Sequence, residues 1–98
     1  MEKPLQLVFD LETDGLLHEL TKIHSMVLRD VETDDVCSCA EADGYEAIES
    51  GLYMLSQADL IIGHNIINFD IRAIKKIYPN FKFKKTCKAY DTLLVSRV

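Results

Sequence analysis

The sequence predicts an α/β fold: a mixed sheet of about five strands, three antiparallel and then parallel, flanked by helices. Two observations predict it. The first half holds short apolar runs separated by tight, acidic turns, which favours an antiparallel meander. The second half alternates helical spacing with short, wholly apolar runs, as parallel strands joined by crossovers require. A length of 98 residues bounds the answer to one small domain with a modest core.

Leu5 to Asp10 is a continuous apolar run suited to a central strand. Thr13 to Thr21 is polar with a glycine and reads as a loop. His24 to Asp30 and Val36 to Glu41 read as the second and third strands, with Val31 to Asp35 as the hairpin turn between them. Gly44 to Gln57 shows helical spacing, with Tyr45, Ile48, Leu52 and Leu55 on one stripe, weakened by Gly51. Asp59 to Gly63 suits a parallel strand buried on both faces. Asn68 can cap a helix from Phe69 to about Tyr78, stopped by Pro79. Lys88 to Asp91 reads as a last strand, and Thr92 to Val98 begins another helix. This order is that of the ribonuclease H-like fold. In such sheets sites collect near the carboxyl ends of parallel strands, where Asp10 and His64 fall.

Composition narrows the function classes. Hydrophobic residues at 48% and charged residues at 28% fit an ordinary soluble globular chain. No apolar stretch approaches the roughly 20 residues needed to span a bilayer, and MEKPLQLVFD lacks the apolar core of a secretory signal. A cytoplasmic protein without membrane partners is expected. Cys37, Cys39 and Cys87 are odd in number and lack zinc-type spacing, so free thiols are expected. Charge is unevenly spread within a net −5: residues 1–50 carry three Lys/Arg against thirteen Asp/Glu, and residues 51–98 carry eight against three. The basic set from Arg72 to Lys88, interleaved with Tyr78, Phe81 and Phe83, suits either a phosphate backbone or plain solvation.

Two short segments concentrate the chemistry, LVFDLETDGLL over 7–17 and IIGHNIINFD over 61–70. Positions i and i+2 of a strand share a face roughly 7 Å apart, so Asp10 and Glu12 should point the same way. Carboxylates held that close repel one another unless a cation sits between them, and hard divalent ions take oxygen ligands. A lone Asp-x-Glu is equally a pair of solvated loop acids, and Asp70 in a first helical turn is favourable on dipole grounds alone. The pairing of both segments at strand ends strengthens the metal reading.

DLETDGLL and HNIINFD resemble the first and second motifs of the DEDD 3′–5′ exonucleases. The likeness is strongest to the proofreading domain of family A DNA polymerases of lytic phages, and TKIHSMVLRD and YDTLLVSRV extend it over most of the chain. That resemblance implies that Asp10, Glu12 and Asp70 are catalytic, metal-binding carboxylates holding Mg²⁺ or Mn²⁺ in a two-metal site. It implies that Thr13 and Leu16 meet the terminal nucleotide, Leu16 as an apolar wedge. It implies that Asn65 binds substrate or braces its loop, at a spacing from Asp70 one residue longer than in the commonest motif. It also implies a single-stranded DNA 3′ end as substrate and a downstream polymerase domain in a parent protein.

The third motif of that family places a fourth aspartate four or five residues after a Tyr or His, and nothing after Asp70 fits it. Asp91 suits an N-cap for the helix that follows, and His64 suits a satisfied histidine at a strand end. Residues 1–98 are therefore expected to form one incomplete domain, truncated at the C-terminus and impaired as a nuclease. Exposed apolar surface on such a piece predicts a homo-oligomer. Two other readings stand beside this one: a catalytically incomplete module that binds nucleic acid or protein, and a small exoribonuclease of the same superfamily.

Overall fold

The structure is a computed structural model that describes residues 3–95. Its strands are β1 (Gln6–Thr13), β2 (Ile23–Asp30), β3 (Val36–Ala40), β4 (Leu60–Gly63) and β5 (Lys88–Asp91). Its helices are α1 (Ile48–Gln57), α2 (Ile71–Ile77) and α3 (Thr92–Val95), with a single π turn over Ile66–Asp70 ahead of α2. The last residues of the expected Thr92–Val98 helix lie outside the described residues. The sheet order is β3-β2-β1-β4-β5. β1 pairs antiparallel with β2 and β2 with β3, while β4 joins β1 and β5 joins β4 in parallel. This is the predicted mixed sheet.

Both crossovers, β3 to β4 and β4 to β5, step in the same direction along the sheet. Right-handed connections then place α1 and α2 on one face. Leu7, Phe9 and Leu11 of β1 turn to that face and join Met26, Leu28, Cys39, Leu52, Leu55 and Ile74 in a single buried core. The alternate residues Asp10, Glu12 and Val27 are exposed, so the strand's period of two separates the core from the carboxylates.

Three local expectations are corrected. Helix α1 starts at Ile48 rather than Gly44, because Glu46 is drawn into a parallel bridge with Cys39. Tyr45 is consequently exposed and not part of the helical stripe. Gly51 proves to be a packing requirement: a Cβ there would lie 2.7 Å from Met26 Sδ and 3.0 Å from Cys39 Sγ. The second helical segment begins at Ile66, so Asn68 lies inside the π turn and caps nothing. The hairpin turn forms as expected, with Asp30 Oδ1 accepting the amides of Glu32 at 2.8 Å and Thr33 at 3.2 Å. The three cysteines are free, with Cys39 buried.

Candidate functional site

β1 runs on past the end of β4, whose last residue is Gly63. Gly63 is needed there, since a Cβ would overlap Ile66 Cγ2 and come within 2.9 Å of the Phe9 carbonyl oxygen. The Leu5 carbonyl accepts the Leu60 amide at 3.2 Å. In a parallel ladder this parity turns the amides of Leu5, Leu7, Phe9 and Leu11 to the β4 edge. Beyond Gly63 the Leu11 amide has no strand to meet. It donates instead to Asp70 Oδ2 at 3.3 Å. The chain thus joins the first motif to the second through a backbone amide lying between Asp10 and Glu12.

Asp70 is only 4% exposed. Burial chiefly, then the nearby Asp10 carboxylate, and less strongly Asp91, push its pKa up to about 6, against the opposing pull of the Leu11 amide. Asp10 and Asp70 are therefore electrostatic neighbours. Glu12 shares the exposed face of β1 with Asp10. Among the described residues no three His, Cys, Asp or Glu side chains are grouped to hold a metal ion. The donor chemistry still fits a hard cation: oxygen ligands only, with one carboxyl buried beside a like charge.

The π turn carries Asp70 to this position. The Ile71 amide bonds to the Ile66 carbonyl, an i to i+5 closure that accommodates one residue more than an α turn. Asn65 precedes it in the left-handed region at φ 60°. Its amide donates to Asp91 Oδ1 at 2.8 Å, and the Ile67 amide donates to Asp91 Oδ2 at 3.0 Å. Asp91 Oδ1 also accepts the Leu93 amide at 3.0 Å, which caps α3. Asp91 is buried at 3% exposure, so it fastens the strand-to-helix junction of the second motif. His64 Nδ1 lies 3.1 Å from Thr92 Oγ1, a satisfied contact.

The remaining residues singled out in the sequence lie around the loop that follows β1. The Thr13 hydroxyl donates to the Gly15 carbonyl at 2.8 Å, leaving its oxygen lone pairs as acceptors. Leu16 is 64% exposed. Asp14 anchors the loop by accepting the Thr21 hydroxyl and the amides of Thr21 and Lys22, which hold its carboxyl below the usual range. Sequence reasoning anticipated the cap that Asp91 gives the following helix but missed its hold on the second motif and the role of the Leu11 amide. Strand parity was the signal for the Leu11 amide.

No protein-family model matches the chain, and no curated protein matches it. Solved structures do. The family B DNA polymerase from the hyperthermophilic archaeon Pyrobaculum calidifontis superposes with a TM-score of 0.70 at 11% identity, over 98% of this chain and 16% of that one. The zinc-ion-bound E. coli ExoI–ssDNA complex superposes with a TM-score of 0.70 at 16% identity, over 98% of this chain and 29% of that one. The chain has a ribonuclease H-like fold and spans a minor part of both neighbours. Among the described residues no helix is long and apolar enough to cross a membrane.

Proposed function

We propose that the chain is the N-terminal part of a 3′–5′ exonuclease domain that hydrolyses terminal nucleotides from single-stranded DNA. The observation that carries this reading is the meeting of Asp70 with the Leu11 amide, which brings the second motif's carboxylate beside Asp10. Asp10, Glu12 and Asp70 are the residues that would hold Mg²⁺ or Mn²⁺. Bound there, such ions supply the polarisation of the scissile phosphate and a water acidic enough to ionise near neutral pH. Asp10 and Glu12 offer carboxylates from one strand face. Asp70, fixed by Leu11, offers its own from the edge. Leu16 is exposed on the loop after Thr13, where a terminal base would stack against it. Asn65 braces the π turn through its backbone. The similarity in fold to a DNA polymerase and to a protein complexed with ssDNA supports the substrate class.

The motifs favour a proofreading module of a phage family A polymerase, working in the cytoplasm of a bacterial host and joined to a polymerase domain. The sequence supplies three of that family's four carboxylates, because the oxygens of Asp91 are taken up by backbone amides. Activity of this chain alone is therefore expected to be weak, and a partner that supplies the fourth aspartate should raise it. The test is release of mononucleotides from a 5′-labelled single-stranded oligonucleotide. Release should require Mg²⁺ or Mn²⁺ and disappear in Asp10→Ala. Metal-independent release that survives the substitution would overturn the mechanism. The same sequence as RNA separates the exoribonuclease reading.

The structural role of Asp91 also favours a second reading, a catalytically incomplete module that binds nucleic acid or protein. It predicts no nucleotide release with either metal, and oligonucleotide binding indifferent to Asp10→Ala.

A further inference from the structure

The loop after β1 and helix α2 border an open groove of about 370 Å³ lined by Leu17, Arg72, Lys75 and Lys76. None of the proposed metal-binding carboxylates lines it. Positions i, i+3 and i+4 bring the three cations onto one helix face. Lys76 Nζ donates to the Leu17 carbonyl at 2.9 Å, tying the helix to the loop. The ion pairs among the described residues engage other side chains, and none involves Arg72, Lys75 or Lys76. Three cations without an acidic partner among the described residues therefore converge in a chain of net charge −5.

The groove is amphipathic. Half-buried Leu17 and the aliphatic stems that basic side chains carry give it an apolar wall beside three charged groups. A small anion would use the cations and leave the wall idle. A single-stranded nucleic acid uses both, with phosphates at the cations and an unstacked base on the apolar surface. A duplex would present its backbone but keep its base faces hidden. The groove also adjoins both motifs: Leu17 follows Leu16, and Arg72 is two residues beyond Asp70.

We propose that this groove binds the backbone of single-stranded DNA upstream of the 3′-terminal nucleotide. The direction of the strand rests on the exonuclease reading; the binding does not. The full chain is titrated against a 5′-fluorescein oligodeoxythymidylate in EDTA, with anisotropy as readout, so hydrolysis plays no part. Arg72→Gln/Lys75→Gln should weaken binding about tenfold at low salt. It should also reduce the slope of log K against log salt by about 1.4, since two fewer phosphates are neutralised. Lys82→Gln/Lys85→Gln removes equal charge from exposed positions outside the groove and should change both quantities far less. Circular dichroism checks that both variants fold. Equal effects from the two pairs, or none from the first, would overturn the proposal. So would inorganic polyphosphate competing as well as the oligonucleotide, phosphate for phosphate. Failure of the exonuclease reading would appear separately, as intact metal-free binding without nucleotide release.

Discussion

Asp70 completes the hydrogen bonding of β1 by accepting the Leu11 amide at 3.3 Å, where β4 no longer reaches. The opposite end of the same ladder is closed alike: the Leu5 amide donates to Asp59 Oδ2 at 2.8 Å. The two aspartates differ in their surroundings. Asp59 is paired with Lys84 at 2.8 Å, and that bond, then the Leu5 amide, lowers its pKa. Asp70 has burial and Asp10 against it, and its pKa is raised. Asp59 has a cation of the chain beside it, whereas Asp70 has a second carboxylate, Asp10, beside it.

That contrast sets the pH dependence of stability. With a folded pKa of about 6 against an unfolded value near 3.9, Asp70 keeps its proton longer in the folded state. Its ionisation penalty is absent below about pH 4, grows as pH rises through the folded pKa, and is fully present above it, on the order of 3 kcal/mol. Asp70→Asn retains an acceptor for Leu11 and should be more stable than wild type at pH 8 in EDTA. The two proteins should converge at pH 4. Urea denaturation at both values checks this, and an unchanged difference between them would refute the assigned titration.

Divalent ions should reverse the order. On the proposed function, saturating Mg²⁺ or Mn²⁺ would neutralise Asp10 and Asp70 in the folded state alone, and a ligand at 100 times its Kd adds about 2.7 kcal/mol. Tm of the wild type should rise on adding the metal and fall back with EDTA, while Asp10→Ala and Asp70→Asn should respond weakly or not at all. Differential scanning fluorimetry measures it directly.

Asp91→Ala should destabilise the fold by about 1–3 kcal/mol, since it strands the part-buried amides of Asn65 and Ile67 and removes the cap of α3. A purely catalytic aspartate would instead lose activity at nearly unchanged stability. Equilibrium unfolding separates the two.

Gly63→Ala should cost about 1–3 kcal/mol, because the neighbouring Phe9 carbonyl belongs to the central strand and cannot retreat. Gly51→Ala meets only side-chain atoms, Met26 Sδ, Cys39 Sγ and Leu28 Cδ1, which can shift where a strand carbonyl cannot, and the helix gains about 1 kcal/mol in propensity, so its net cost should be smaller. Chemical denaturation ranks the pair.

Val27 of β2 and Tyr90 of β5 are exposed, at 43% and 47%. Apolar side chains left open on a sheet face favour association, so this surface should drive self-association as concentration rises. Light scattering over a hundredfold concentration range should show the mean mass increasing; a constant monomer mass would dismiss the idea.

The sequence by itself determined the sheet, because strand periodicity, apolar runs and turn residues act locally and agree with one another. It marked Asp10 and Glu12 as acids at a strand's end and Asp70 as an acid in a first helical turn, and it placed β5 over Lys88 to Asp91 as observed. Only the tertiary structure decided how the two motifs meet. A π turn joins Asn65 to Asp70, Asp91 secures that turn from a distant strand, and the Leu11 amide meets the carboxylate. Each of these depends on where a strand runs out of partners. That is set by the relative lengths of β1 and β4 once paired, and neither segment records it alone.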